Sequence, residues 1–129
     1  MRPNEASRLV IGAAIKVHTA LGAGVLESAC DACLHYQLLE AGLHFEHQVH
    51  LPIVYEGVEL ATAYRIDYIV EKCLVVEIKC VERVLAVHRA QLLSYLKLTR
   101  LPLGLSLNFN VPRMKDGIHR VINAPDEDL

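Results

Sequence analysis

The sequence predicts an α/β fold, a small mixed β-sheet flanked by helices in the order α-α-β-β-β-α-β-β. Two observations carry this. Three segments repeat apolar residues at helical spacing, and five others alternate or run apolar over strand lengths. One helical segment interrupts the run of strands, which gives a mixed sheet with helices packed on it. A third observation, a hydrophobic content of 53%, excludes a disordered chain.

Each element has its own signal. Residues 4–20 read as a helix capped by Asn4 or Ser7, with Leu9, Val10, Ala13, Ala14 and Val17 on one face. LGAG at 21–24 breaks it. A second helix runs over 24–41 and stops at Gly42, as at a C-terminal cap. FEHQVHLPIVY at 45–55 alternates like a strand, and Glu56-Gly57 turns it. Strands follow at 59–70 and 74–80. AVHRAQLLSYLKL at 86–98 has helical periodicity, offering Leu92, Leu93, Leu96 and Leu98 to a core. LGLSLNFN at 103–110 is a strand, and MKDGIHRVIN supplies a turn and a short last strand. The whole reads as a single domain over 1–129, frayed at 1–4 and 124–129. A chain of 129 residues is long enough to bury a core.

The bulk properties narrow the function classes. The net charge of −2 supplies no global positive field, so a nucleic-acid partner would meet a local basic patch. No run reaches the ~18 apolar residues of a membrane span. The N-terminal apolar stretch is interrupted by Lys16 and His18 and suits an amphipathic helix better than a signal peptide. A cytoplasmic protein without a membrane partner is expected. Cys30 and Cys33 form a CxxC, but Cys73 and Cys80 are too loosely spaced for a standard zinc knuckle. All four are read as small buried hydrophobes, with metal or redox chemistry as the rival. GAG at 22–24 follows a helix and lacks the third glycine of a dinucleotide loop.

YRIDYIVEKCLVVEIKC at 64–80 carries charges inside apolar strands. A hairpin centred on Lys72, with loop Glu71-Lys72-Cys73, sets Asp67 across from Glu77 and Arg65 across from Lys79. Strict alternation puts Arg65, Asp67 and Ile69 on one face of their strand, and Val75, Glu77 and Lys79 on one face of the next. Facing carboxylates repel across a ladder, and burial drives one towards protonation. A divalent cation removes the repulsion, since Mg²⁺ accepts two carboxylates and several waters. Lys79 would then orient a nucleophile and stabilise charge on phosphate. The alternative is a solvated face with Asp67–Lys79 and Glu77–Arg65 as diagonal salt bridges.

Asp67, then Glu77-Ile78-Lys79, then a helix carrying Gln91 and Tyr95 resembles the PD-(D/E)XK nuclease superfamily, in particular its recombination-exonuclease branch with a Q-x-x-x-Y helix. Over residues 5–123, LGAGVLESACDACLHYQLLEAGL, the strand pair, VERVLAVHRAQLLSYLKL and LGLSLNFNVPRMKDGIHRVI look like the small bacterial GxxExxY protein family. Gly24 and Glu27 match G-x-x-E; Cys30 stands where that pattern has tyrosine, and Arg65-Ile66 stand where the superfamily name has proline.

The resemblance implies a restriction-endonuclease-like core and a metal-dependent nuclease acting on DNA, with RNA as the alternative substrate. Asp67, Glu77 and the Ile78 carbonyl would hold Mg²⁺ or Mn²⁺, and Glu27 would join directly, through water or at a second metal. Lys79 would position the attacking water. Gln91 would contact substrate or the metal's water shell, and Tyr95 the phosphate or Lys79. His88 would contact DNA or the metal's outer shell, or cap its helix. Arg65 leads the candidate phosphate contacts, with Arg89, Lys97, Arg100, Arg113, Lys115 and Arg120 behind it. Asn108 and Asn110 would line the edge of the site or serve as strand-end turn residues. A homodimer or a protein partner is compatible with so short a chain. The rival class is a non-catalytic nucleic-acid- or protein-binding module that keeps the fold.

Overall fold

The computed structural model describes residues 1–129. Its elements are α1 (Pro3–Leu21), α2 (Glu27–Glu40), β1 (Phe45–Tyr55), β2 (Val58–Val70), β3 (Leu74–Lys79), α3 (Ala86–Thr99), β4 (Leu103–Asn108) and β5 (Ile118–Ile122), with short 3₁₀ turns at Met114–Gly117 and Asp126–Asp128. The mixed α/β architecture and the element order are those the sequence predicts. The five strands form one sheet in the order β1-β2-β3-β4-β5. β3 and β4 run parallel, joined by the α3 crossover, and the other neighbours are antiparallel. A parallel pair needs such a crossover, because no tight turn can return the chain to the same end of the sheet.

Two cores cover the two faces. Val10, Ala14 and Val17 of α1 and Leu34 and Leu38 of α2 pack on Tyr68, Val70, Val76, Ile78, Leu105 and Leu107. On the other face Leu92, Tyr95 and Leu96 of α3 pack on Ile66 and Val75. α3 lies close to the sheet because β4 carries Gly104 there: a Cβ at that position would stand 2.8 Å from Leu92 Cδ1. Leu98, expected to face the core, is exposed, since it falls on the outer side of α3.

Other expectations change at the ends. α1 starts on Pro3 with Arg2 at the N-cap position, so neither Asn4 nor Ser7 caps it. Proline at the first helical position spares an N–H that would otherwise lack a partner. The termini, expected to fray, are held together. The Asn4 N–H donates to the Leu129 carbonyl at 2.9 Å. Arg2 donates to the Glu127 carbonyl at 2.6 Å, and Leu129 is buried. α2 begins at Glu27 rather than residue 24, because Gly24 takes φ +80° and gives its N–H to Asn110 Oδ1.

β2 outruns β3. Only Tyr68–Val70 pair with β3, so the distal part of β2 pairs with β1 alone and projects as a two-stranded arm. Val54, Tyr55, Val58 and Leu60 are exposed on it.

Candidate active site

The β2–β3 hairpin has the expected register. Tyr68–Val76, Ile69–Val75 and Val70–Leu74 are paired about Lys72. No glycine is needed, because Glu71 and Lys72 themselves take φ +51° and +55°. The ladder then stops one pair short of Asp67 and Glu77. There the carboxylates replace it: Ile78 N–H donates to Asp67 Oδ2 at 2.8 Å, and Asp67 N–H donates to Glu77 Oε1 at 3.1 Å. Each strand gives a backbone N–H to the other strand's acid. The sheet tolerates these charges locally because they satisfy backbone donors that the splayed ladder leaves behind.

The predicted alternation of β2 fails here. Ile66 and Ile69 both pack with the α3-side core, and Tyr68 and Val70 pack on the opposite face. The phase slips at Asp67, opposite Gln48 of β1, which takes φ +54°. The β1–β2 pairing skips both residues between His47–Tyr68 and Val49–Ile66. Arg65 is therefore not on the Ile69 face, and it pairs with His50 of β1 rather than facing Lys79. Lys79 instead lies beside Asn108 of β4.

An open cavity of about 270 Å³ is lined by Glu27, Arg65, Asp67, Glu77, Ile78, Lys79, Gln91 and Tyr95. Every predicted metal and catalytic residue lines it, with Tyr95 and Arg65, whereas His88, Asn108, Asn110 and the basic candidates Arg89, Lys97, Arg100, Arg113, Lys115 and Arg120 do not. His88 sits at the start of α3, where its Nδ1 accepts the Leu85 N–H at 3.0 Å. It caps the helix. A second cavity of about 170 Å³ shares Glu27, Arg65, Asp67 and Ile78 and extends towards Ser28, Asp31 and Gln48. Asp67 and Glu27 thus stand on a ridge between two openings, with Glu77 on its larger side only.

The charges on that ridge are not neutralised by protein cations. The diagonal salt bridges do not form; the only carboxylate within ion-pair distance of a basic side chain is that of Asp31, 3.2 Å from His47 Nε2. Glu77 is 7% exposed. Burial first, and the Asp67 charge second, hold its carboxyl well above the ordinary 4.5. Glu27 is raised as well, by partial enclosure of its carboxylate and then by Asp67. Tyr95 is raised by burial and then by Glu77 and Asp67. Beside Glu77 across the parallel ladder lies Ser106, whose buried hydroxyl has no hydrogen-bond partner.

The donor set suits a hard divalent cation. Glu77 Oε2 and Asp67 Oδ1 remain free of backbone N–H bonds, and a cation would replace the proton that burial and repulsion impose on the pair. No three His, Cys, Asp or Glu side chains close into a metal-holding group. The arrangement matches a cation held by two carboxylates and water rather than a closed protein cage.

One contributor, Asp31, escaped the sequence reading, and Asn108 did not. Asp31 follows Glu27 by four residues, and that helical spacing was the available signal. Asn108 is buried in β4 and clamps the chain just past Lys79: its side chain accepts the Val81 N–H at 3.1 Å and donates to the Val81 carbonyl at 2.8 Å. That is the strand-end role expected of it.

The cysteines are free and pack as small apolar groups. Cys30 is buried, with its Sγ 3.9 Å from Cys80 Sγ. Burial, with the neighbouring Cys80, pushes its thiol up to about 12. Where the GxxExxY pattern has tyrosine, Cys30 points into the core and not into either cavity. Alkylation at pH 8 is therefore expected to modify half-buried Cys33 before Cys30, which fragment mass spectra would resolve.

The family model of the PD-(D/E)XK nuclease superfamily matches residues 4–121. No curated protein and no solved structure matches the chain.

Proposed function

The chain belongs to the PD-(D/E)XK nuclease superfamily, and on that footing we propose that it is a divalent-metal-dependent nuclease, with DNA as the favoured substrate and Mg²⁺ or Mn²⁺ as the cofactor. Within the superfamily we assign it to the GxxExxY proteins, on Gly24 and Glu27. The observation that carries the proposal is the Asp67–Glu77 pair: two carboxylates cross-linked to each other's strands, one of them buried, and neither paired with a cation.

Asp67, Glu77 and the Ile78 carbonyl would hold the ion, and Glu27 would join directly, through water or at a second metal. When bound, it supplies Lewis-acid stabilisation of the charge that builds on the phosphodiester. The remaining chemistry falls to side chains of the same cavity. Lys79 carries no carboxylate partner, so its ammonium is available to orient the attacking water and to neutralise a phosphate oxygen. Gln91 stands exposed on α3 above it and can donate and accept towards substrate. Tyr95 keeps its proton and donates; its ring meets Tyr64 edge-on at 6.1 Å between centroids, which fixes its direction. Arg65 lines both openings and offers a phosphate contact on each.

No helix is long and apolar enough to cross a membrane. The test is direct. Calorimetry on chelator-treated protein is expected to show binding of Mg²⁺ or Mn²⁺. Cleavage of a panel of single- and double-stranded DNA and RNA is expected to stop with EDTA and return with either ion. Binding without cleavage of any nucleic acid would favour the non-catalytic module. No binding would remove the nuclease mechanism.

A further inference from the structure

α2 delivers Glu27 to the cavities, so something must aim that helix. It has no side-chain cap at its N-terminus. Its polar tie to the sheet is made one turn later, at Asp31. Asp31 Oδ1 accepts the Tyr68 hydroxyl at 2.6 Å, and the same hydroxyl lies 3.2 Å from the Asp31 carbonyl oxygen. His47 Nε2 of β1 lies 3.2 Å from both carboxylate oxygens of Asp31. The His47 ring stacks on the Tyr68 ring, 4.4 Å between centroids and 16° from parallel. Tyr68 is fully buried and is the residue after Asp67.

We infer that Asp31, gripped by Tyr68 and His47, is a positioning residue that sets Glu27 against Asp67. This rests on the proposed reading of those carboxylates as a cation site. The geometry explains why the grip falls where it does. Tyr68 is adjacent to the point where β2 loses its alternation, so its side chain goes down to α2 while Asp67 stays at the splayed ladder. Asp31 lies about one helical turn from Glu27, about 6 Å along the axis. One latch therefore joins the neighbour of one acid to the helix turn of the other.

Two other roles fit less well. Asp31 lines the smaller cavity, but both of its carboxylate oxygens already have partners, so it is not a free ligand. Tyr68 is not a proton donor to substrate. It is buried, and burial together with the Asp31 bond raises its hydroxyl, so it keeps its proton.

Tyr68→Phe removes the hydroxyl and little else. Against it, Leu103→Ala serves as a control that weakens the same core without removing a hydrogen bond of the latch. Tyr68→Phe is expected to weaken Mg²⁺ binding about 10-fold or more in calorimetry, the range seen when a ligand's supporting partner is removed. Any cleavage rate should return towards wild type at saturating Mg²⁺. Leu103→Ala should melt earlier yet keep wild-type Mg²⁺ affinity. His47→Gln, which keeps an N–H donor, should bind more tightly than His47→Ala. In metal-free protein, Tyr68→Phe should speed alkylation of Cys30, the buried thiol on α2, by about 10-fold through local opening. Wild-type affinity in Tyr68→Phe, or equal loss in Leu103→Ala, overturns the inference. Should wild-type protein bind no Mg²⁺, the cation-site reading fails by itself. Cys30 labelling then decides the latch: faster labelling in Tyr68→Phe supports it, and unchanged protection overturns it.

Discussion

Lys79→Ala is expected to lower metal-dependent cleavage by about 10²–10⁴-fold, the usual contribution of one positioned acid–base or charge-stabilising group. It should do so without unfolding the chain. Lys79 ends β3 half-buried, and its ammonium has no carboxylate within ion-pair distance, so truncation breaks no ion pair. Melting temperature should move little. Mg²⁺ affinity should stay level or tighten slightly, because a positive charge leaves the neighbourhood of Asp67 and Glu77. That split, with chemistry lost and binding kept, separates a catalytic lysine from a structural one. Lys79→Arg should not restore the rate, since a wide planar guanidinium cannot occupy the place of a compact ammonium. Full activity in Lys79→Ala would move the chemistry out of this cavity.

The element order was legible because each segment carries its own period. α1 shows its face in Val10, Ala13, Ala14 and Val17, all buried. The hairpin register was legible too, since the apolar runs on either side of Lys72 match only one way. The slip at Asp67 was not. It depends on Gln48, nineteen residues earlier on a neighbouring strand, adopting φ +54°, and nothing in the local pattern of 64–70 announces a lost alternation. His88 shows a different limit. Its spacing from Gln91 fits a shared helical stripe, but it stands in the first turn, where a free backbone N–H competes for its ring nitrogen. Asp31 was hidden because its partners, His47 and Tyr68, come from two strands distant in sequence. The docked ends were hidden for the same reason, since Arg2, Asn4, Glu127 and Leu129 meet only in the folded chain.

Glu77→Gln is expected to make the metal-free protein more stable at pH 8, by roughly a few kcal/mol, because burial pushes the Glu77 carboxyl up to about 8 and ionising a raised carboxyl costs the folded state. The sign follows from linkage. Glu77 holds its proton more tightly in the folded chain than in the unfolded one, because burial and Asp67 raise its carboxyl above 4.5. The folded state therefore binds more protons over the interval between the two values, and stability falls as pH rises through it. Below about 4.5 this group's contribution is fully present; above the raised value it is lost. Glutamine cannot ionise, and its amide can still accept the Asp67 N–H and donate to the Asp67 carboxylate. Melting curves from pH 4.5 to 9 should therefore converge at the acid end and separate at the alkaline end, with the variant above wild type. Mg²⁺ should reverse the order. It competes with the proton for wild-type Glu77, and a ligand at 100 times its Kd adds about 2.7 kcal/mol, whereas the variant offers one carboxylate fewer and gains little. Parallel curves, or a variant less stable than wild type at pH 8, would mean that Glu77 is already neutralised by the fold. The Asp67–Glu77 pair would then need no cation, and the strain that the proposed function relies on would be absent.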